Sequence, residues 1–436
     1  MIIPTPKRIR EDLYRTLWQM EAERHLYVKR PLRDFTRNCK LSFPRTMLLL
    51  TQMEAHSTTR ELNDFFLPLK QTVTQSAFVQ ARGKFNAEAF PTLFRLFNAK
   101  YPFRKTKFGL HILAIDGSDV NIPADKRDCS TFISYNSKQG GYHQLHVNAS
   151  YDLIEKRYTD IVIQPRAKMR EVEAACAMVD RCPLRSNTLH VFDRGYESLN
   201  LMAHIQALGS FFLIRAKELN ATVSPFSNVQ IPDEEEFDVP VRFLVTRNHK
   251  LVRQNPSLYK EINNGRAFDF IEVGDKISTF ELCFRLIKIK LDNGAYEYLL
   301  TNLPVRKYPS CIMKELYHMR WGIEVSFLFL KYGIALNYFH SIKREFLIQE
   351  IYARFILANF ISLIVSCTEV PNTGTRLRYK VSYSDAIYKC RAFLIGTPAY
   401  ECIQLLLLRD KVPIRPDRRY PRKMRSQRLK TLQHRT

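Results

Sequence analysis

Long hydrophobic runs are absent from this sequence of 436 residues. The longest apolar stretch, FILANFISLIVSC, covers only residues 355–367 and contains an asparagine, whereas a membrane-spanning helix needs ~20 apolar residues. The amino-terminal MIIPTPKRIR has no apolar segment after its charges, so we expect no secretory signal. The sequence therefore predicts a soluble protein with no membrane partner.

Cysteine pairs at metal-binding or redox spacing are also missing. The nine cysteines are scattered, no two form a CxxC pair, and no histidines cluster at zinc spacing. An odd number of cysteines suits reduced thiols in the cytoplasm better than a disulfide framework. We therefore assign no cysteine to chemistry and expect a cytoplasmic location.

Acidic residues are scarce relative to basic ones. The chain has 67 Lys and Arg against 43 Asp and Glu, a net charge of +24, and its isoelectric point is about 9.7. Such an excess predicts a polyanionic partner, with nucleic acid ranked before an anionic membrane surface. The apolar content of 45% is ample for folding, and the length indicates several core units or one core with a large insertion.

Composition and hydrophobic pattern divide the chain into five segments. Residues 1–105 read as helical and basic, 106–216 as three strands followed by helix, strand, helix and strand, and 217–305 as β-rich with a hairpin turn at Asp292-Asn293-Gly294. Residues 306–370 read as helical again, and 371–436 as helical with a basic tail. This order predicts an α+β (mixed α/β) fold with a mixed sheet flanked by helices.

The first segment contains two short helical patterns. Thr58-Thr59-Arg60-Glu61 has the form of a capping box opening the helix RELNDFF, and TQSAFVQARGKF follows after Leu67-Pro68. Two short helices across a tight break suit a helix-turn-helix, but a plain helical bundle with solvated basic residues fits the pattern equally well. Both interpretations remain open from the sequence.

The stretch YHMRWGIEVSFLFLK, at residues 317–331, predicts a helix with a polar edge beside an apolar stripe. At ~100° per residue, four side chains share an arc of roughly 60°: Tyr317, Arg320, Glu324 and Lys331. The apolar stripe beside them consists of Met319, Ile323, Phe327, Leu330 and Ile334. Charges at such a boundary are costly unless they are paired, coordinate a metal or face an anionic ligand. An ordinary amphipathic helix with an internal Glu–Arg pair is the alternative.

Three carboxylates are placed where they can converge. Asp116 ends the predicted strand LHILAID, Asp193 ends HVFD, and Glu324 lies on the polar edge of the helix. Converging carboxylates repel one another unless a divalent cation lies between them, and hard oxygen ligands select Mg²⁺ or Mn²⁺. Two such ions ~4 Å apart clamp the attacking and leaving oxygens of a phosphoryl displacement. This chemistry suits a basic protein.

Each carboxylate also has a simpler interpretation. Asp119 lies close to Asp116, so either residue can merely cap a turn, although Asp116 follows the apolar run directly. Asp193 can pair with Arg194, and Glu324 with Arg320. Singly these interpretations are favoured, but the three residues together with the charge favour a metal site.

The motifs described above resemble those of a known protein family. Tyr317-x2-Arg320-x3-Glu324-x6-Lys331 resembles the Y-R-E-K signature of transposases of the insertion-sequence-four family. FDRGY at 192–196 is similar to that family's second-aspartate motif, and AIDGSDV at 114–120 to its first. YHQLHVNASYDL and YLLTNLP resemble its sheet and insertion segments, so the resemblance covers roughly residues 30–430.

The resemblance implies a ribonuclease-H-like core, made of 106–216 and 306–370 and interrupted by a β-strand insertion at 217–305. Asp116, Asp193 and Glu324 would form a DDE triad holding two Mg²⁺ or Mn²⁺ ions. Residues 1–105 would bind DNA, and residues 371–436 would contribute to dimerisation.

For the substrate, the resemblance implies double-stranded DNA, namely the ends of an insertion sequence and the target. Tyr317, Arg320 and Lys331 would contact phosphates near the cut, with Arg194 as a further DNA contact. Hairpin-forming relatives stack a flipped base on a tryptophan just before LLT, but tryptophan occurs here only at positions 18 and 321, so Tyr298 or Tyr296 would take that role.

The implied activity is cut-and-paste recombination by a homodimer on the bacterial nucleoid, without a small-molecule substrate. The triad would cleave the inverted-repeat ends with metal-dependent hydrolysis, and the freed 3′-OH would attack target DNA. One alternative is a catalytically inactive, sequence-specific DNA-binding protein. Another is a ribonuclease-H-like nuclease that cuts RNA or branched DNA without regard to terminal sequence.

Overall fold

The computed structural model describes residues 4–136, 139–216, 232–292, 294–371, 374 and 377–415. Most of the predicted basic tail lies outside the described residues, which end at Arg415. The first part of the predicted insertion, 217–231, and Asn293 of the predicted hairpin turn also lie outside them.

Five helices form the amino-terminal part of the chain. They are α1 (Pro6–Ala22), α2 (Phe43–Gln52), α3 (Thr58–Phe66), α4 (Gln75–Arg82) and α5 (Ala89–Ala99). The predicted capping box at Thr58 is wrong, because the cap of α3 is Ser57, which accepts from the backbone N–H of Arg60. Glu61 instead accepts hydrogen bonds from the N–H groups of Glu54 and His56, so it anchors the preceding loop.

A mixed sheet follows. Its first strands and helices are β1 (His111–Ile122), β2 (Phe132–Asn136), β3 (Gln139–Asp152), β4 (Arg157–Pro165), α6 (Glu171–Arg181), β5 (Thr188–Phe192), α7 (Leu199–Ala207) and β6 (Phe211–Arg215). β3 pairs antiparallel with both β1 and β4, while β5 runs parallel to β1 and β6 parallel to β5. These directions give a mixed sheet flanked by helices, as predicted, and β2, a strand that the sequence did not predict, pairs antiparallel with β3.

Four strands from the predicted insertion lengthen the same sheet. The elements are β7 (Phe237–Thr246), α8 (His249–Gln254), β8 (Tyr259–Glu261), β9 (Thr279–Lys290) and β10 (Tyr296–Thr301). β10 pairs antiparallel with β6, and β9, β7 and β8 follow in that order. The ten-stranded sheet is therefore one continuous structure, which places β10 close to the strands that lead to Asp116 and Asp193.

The rest of the described chain is mostly helical. Its elements are α9 (Ser310–His318), α10 (Trp321–Leu328), a π-helical turn (Phe329–Gly333), α11 (Arg344–Ser366), β11 (Tyr379–Lys380), α12 (Tyr383–Leu394), α13 (Ile403–Arg409) and β12 (Val412–Pro413). α11 is long and apolar enough to cross a membrane by length and composition, but 83% of its most apolar window is buried inside the protein. It is the central helix of the core.

Two apolar clusters cover the two faces of the sheet. One joins Ala114 of β1 to the amino-terminal helices and to the helices from α9 onwards, and the other joins Ile115 to α6 and α7. Since successive side chains of a strand point to opposite faces, Asp116 shares the face of Ala114. The helices from α9 onwards therefore cover the face that carries Asp116, and this sets the site.

Candidate active site

The strand register brings Asp116 and Asp193 to the same level of the sheet. Ala114 of β1 pairs with Val191 of β5, and each aspartate lies two residues further along its strand direction. Asp193 directly follows the end of β5, as predicted. Asp116 does not end its strand, however, because β1 continues to Ile122 through antiparallel pairing with β3.

The third carboxylate, Glu324, lies on a helix that the sequence predicted to be continuous. The structure divides it: α9 ends at His318, α10 begins at Trp321, and Arg320 lies at the junction, where its N–H donates to the carbonyl of Tyr317. α10 packs against β1. The predicted apolar stripe is confirmed, since Ile323, Phe327, Leu330 and Ile334 are buried and Met319 is partly buried against the core.

Arg320 lies between two of the carboxylates. Its Nη2 donates a 2.7 Å hydrogen bond to Glu324 Oε1, and its Nη1 lies 3.7 Å from Asp116 Oδ2. The Arg320 side chain is only 10% exposed, against 19% for Asp116 and 28% for Glu324. The guanidinium is therefore the counter-charge that holds Asp116 and Glu324 together.

The environment of Asp116 favours an added positive charge. The pKa of Asp116 is raised to about 6, mainly by burial and also by the charges of Asp193 and Glu324, while a hydrogen bond from Gly117 N–H and the charge of Arg320 oppose the rise. The mutual electrostatic effect means that the three predicted triad residues share one site. Their carboxylates are the hard donors that Mg²⁺ and Mn²⁺ prefer.

The arrangement is nevertheless not a formed metal centre. Within the described ranges, no three His, Cys, Asp or Glu side chains converge closely enough to hold a metal ion. Arg320 supplies the physical reason, since its guanidinium lies between Asp116 and Glu324. The three carboxylates are donors of the type that a divalent cation prefers, and in this structure Arg320 is the cation that lies between Asp116 and Glu324. The nine cysteines are all free thiols in this structure.

Tyr317 lies in the last turn of α9, beside this cluster. Its side chain is buried, and burial raises its pKa to about 12, while Arg320 and Arg215 act in the opposite direction. The carboxylates of Glu297 and Asp193 also act on it. Tyr317 is therefore a neutral phenol between two arginines at the edge of the site.

Two residues of this site were missed by sequence reasoning. Arg215 ends β6, and because Phe192 pairs with Ile214, it lies at the level of Asp193. Its Nε is 3.1 Å from Oε1 of Glu297, which is largely buried on β10. Arg215 could have been found from its position at the end of a predicted strand, as Asp193 was. Glu297 could not, because its place in the site depends on the pairing of β10 with β6.

Lys331 lies apart from the three carboxylates. It belongs to the π-helical turn, burial lowers its pKa, and the carboxylate that opposes this effect is Asp119. Asp119 also accepts from His146 Nδ1 at 2.7 Å and lies 2.9 Å from Arg166 Nε. Asp119 is thus engaged in a separate cluster, which supports Asp116 as the triad member.

The other two predicted DNA contacts differ from each other. Arg194 is exposed next to Asp193, but the two form no ion pair within the described structure, and Asp193 instead accepts a 2.7 Å hydrogen bond from Gly195 N–H. Tyr298 shares the sheet face of Leu300 and packs near Phe237, on the side away from the carboxylates. The structure does not support stacking of a base on Tyr298 at this site, because Glu297 is the residue of β10 that faces it.

The chain is similar to known transposases. A family model described as the transposase DDE domain matches residues 107–360, more than half of the chain, and this range contains all three carboxylates. No curated protein sequence matches the chain. One similar solved structure is the cryo-EM structure of the piggyBac transposase synaptic complex with hairpin DNA, with 12% identity, a TM-score of 0.46 and coverage of 94% of this chain and 85% of that one. The family match shows that this chain belongs to the transposase DDE domain family.

Proposed function

We propose that the protein is a transposase of the insertion-sequence-four family that binds the inverted-repeat ends of its element, cleaves them by metal-dependent hydrolysis and joins the freed 3′-OH to target DNA. Membership of the transposase DDE domain family supports the reaction class. The observation that carries the proposal is the cluster in which Arg320 bridges Asp116 and Glu324 beside Asp193. The net charge of +24 suits a DNA substrate.

In this proposal Asp116, Asp193 and Glu324 hold Mg²⁺ or Mn²⁺. Such ions, when bound, activate water as a nucleophile and stabilise the charge on the leaving oxygen. The side chains themselves supply position: Asp116 is fixed by the Gly117 N–H at 2.8 Å and Asp193 by the Gly195 N–H at 2.7 Å. Both carboxylates are therefore oriented before any ligand arrives.

Arg320 is the residue of this site that we expect to bind a backbone phosphate. Its buried Nε has no hydrogen-bond partner among the described residues. An unpaired buried donor is costly, and a phosphate oxygen would satisfy it while a guanidinium can bind two such oxygens at once. When Arg320 swings toward a phosphate, the space between Asp116 and Glu324 becomes available for a cation.

Tyr317, Lys331 and Arg194 complete the proposed set of DNA contacts. Tyr317 presents a neutral hydroxyl beside Arg320, and Arg194 is exposed beside Asp193. Lys331 lies further along, near Asp119, so we assign it to a phosphate outside the scissile one. A homodimer, acting in the cytoplasm, would bring two element ends together.

The test uses linear duplexes that carry the inverted repeats flanking the gene, incubated with purified protein with and without Mg²⁺. We expect metal-dependent cleavage mapped to the repeat boundary. Asp193→Asn should abolish cleavage and preserve binding, whereas Asp292→Asn, at a carboxylate whose side chain is 82% exposed in the insertion, should cut normally. Binding without any cut would favour a catalytically inactive DNA-binding protein, and cutting without regard to the repeat would favour a general nuclease.

A further inference from the structure

The helix α4 has two contrasting faces. Phe78 is completely buried, and Ala81 and Arg82 are nearly so. The opposite face is exposed and uncharged, and consists of Gln75, Ser76, Ala77, Val79 and Gln80, preceded by the exposed N-cap Thr74. Two amides and two small apolar groups are exposed on this short helix, while the hydroxyl of Thr74 accepts from the N–H of Ala77 and the hydroxyl of Ser76 accepts a 3.3 Å hydrogen bond from Gln80 Nε2.

These side chain types match the edges of base pairs in the major groove. Glutamine bonds bidentately to adenine N6 and N7, hydroxyls bond to either base, and small apolar groups contact the thymine methyl. Recognition helices read bases mainly with their amino-terminal residues, where Gln75 and Ser76 lie. The absence of charge on this face suits base edges rather than phosphates.

A basic segment flanks the start of this helix. Lys40 Nζ donates a 3.1 Å hydrogen bond to the carbonyl of Thr72, and Arg45 Nη1 lies 3.5 Å from Gln71 Oε1, so both cations lie beside the turn that precedes α4. Arg33 and Arg37 are exposed on the same segment, and the acidic residue among them, Asp34, is buried. Positive charge beside an uncharged polar face is the charge pattern that fits DNA.

α4 is also tied rigidly to the catalytic part of the protein. The buried Arg82 donates to Glu350 of α11 at 2.9 Å and to the carbonyl of Phe346 at 2.9 Å. Gln349 Nε2 donates back to the carbonyl of Arg82 at 3.2 Å. The exposed face of α4 is therefore held at a constant position relative to α11.

We infer that α4 enters the major groove of the element's terminal DNA, where Gln75, Ser76 and Gln80 read base edges while Lys40 and Arg45 bind the adjacent phosphates. This assignment rests on the proposed function. It makes α4 a DNA-reading helix rather than part of a plain bundle, although residues 67–74 separate α3 from α4 and the tight break expected of a helix-turn-helix is therefore absent.

The experiment measures binding of the full-length protein to the terminal duplex, to versions with each base pair substituted, and to an unrelated duplex, over a range of salt. The double variant Gln75→Ala/Gln80→Ala should bind the terminal duplex roughly ten- to a hundredfold more weakly and lose discrimination at a few adjacent base pairs. Its dependence on salt should be unchanged, because no charge is removed. The matched control, Gln254→Ala on the exposed end of α8, should behave as wild type.

Substitution of the basic residues should change the affinity and its salt dependence rather than the sequence preference. Lys40→Ala and Arg45→Ala should weaken binding to all duplexes equally and lower the slope of log K against log salt by about 0.9 for each phosphate that is no longer neutralised. Gln75→Arg should move the preference at one position from adenine toward guanine.

Two outcomes are decisive against the assignment. If Gln75→Ala/Gln80→Ala keeps the full preference for the terminal sequence, α4 is not the reading helix, while metal-dependent cleavage at the repeat leaves the proposed function intact. If the wild-type protein has no preference for the terminal duplex, the proposed function is overturned and this assignment with it.

Discussion

Arg320 Nη2 donates a 2.7 Å hydrogen bond to Oε1 of Glu324, four residues further along the chain. The same guanidinium lies 3.7 Å from Asp116 and over the rings of Tyr317 and Trp321, at 5.9 and 5.4 Å. In the proposed function this arginine neutralises the carboxylates in the free protein and binds a phosphate in the DNA complex. Substrate binding and metal binding would then be linked, because both would require Arg320 to leave Glu324.

Arg320→Lys should weaken binding of a pre-cut element end roughly tenfold, since an ammonium cannot bind two phosphate oxygens as a guanidinium does. Fluorescence anisotropy with the end duplex measures this. Arg181→Lys is the control, because Arg181 also bonds a carboxylate through two nitrogens, at Asp160, but its side chain is 52% exposed on α6. Unchanged affinity in Arg320→Lys would mean that Arg320 serves only Glu324.

Arg215→Gln should slow cleavage by about tenfold, because it removes a cation at the level of Asp193 that a phosphate can approach. Glu297→Gln should tighten DNA association, because Glu297 pairs with Arg215 and competes with a phosphate for it. Arg242→Gln, which breaks an exposed pair with Glu281, is the matched control for charge. The assignment fails if Arg215→Gln and Arg242→Gln behave alike in the cleavage assay.

Gly117→Ala should destabilise the protein by roughly 1–3 kcal/mol, because overpacking displaces neighbouring groups. A Cβ at this position would lie 2.2 Å from Nε2 of His146, whose side chain is 4% exposed and pairs with Asp119 and Glu171. Urea unfolding measures the loss, with Gly265→Ala as control because a Cβ there meets no heavy atom within 4 Å. Equal stability of the two variants would contradict this prediction.

The stability contributed by His340 should fall as the pH rises. Burial alone would lower its pKa, but hydrogen bonds to Glu350 and Glu61 raise it to about 9. A group with a raised pKa stabilises fully below its unfolded value of ~6.5 and loses that contribution as the pH passes through the folded value. The difference in free energy of unfolding between wild type and His340→Gln should therefore shrink by about 3 kcal/mol between pH 6 and 9.

Glu350, the hydrogen-bond partner of His340, determines how the stability of the protein changes at low pH. Burial would raise its pKa, but Arg82 and His340 lower it to about 2, so its contribution is present above pH ~4.5 and is lost as the pH falls toward 2. His25→Gln, which replaces an exposed histidine by the same residue, is the control substitution for His340→Gln. A constant difference between wild type and His340→Gln from pH 6 to 9 would contradict the linkage.

The sequence predicted those features of the site that depend on local pattern. The apolar stripe through Ile323, Phe327 and Leu330 follows helical periodicity, and the order of strands follows alternating patterns and turns. The gathering of Asp116, Asp193 and Glu324 came from strand-end reasoning and from the family resemblance.

Other features depended on contacts distant in sequence. Asp116 lies inside a long strand because β3 pairs with β1 well beyond it, and a single run of sequence does not contain that register. The break at Arg320 and the π-helical turn around Lys331 change the direction of side chains that a uniform 100° step placed together. Glu297 faces the site only because β10 pairs with β6, and this also turns Tyr298 away.

The buried Arg82–Glu350 pair joins α4 directly to α11. If α4 reads the terminal sequence as we infer, the distance between the bases that it reads and the phosphodiester that is cut would be set by the protein's own dimensions. A base pair inserted between the two would not be absorbed by a hinge. It would move the cut by one nucleotide away from the boundary of the element, or rotate the recognised bases by roughly 35° out of register with α4, given about 10–10.5 base pairs per turn of B-DNA.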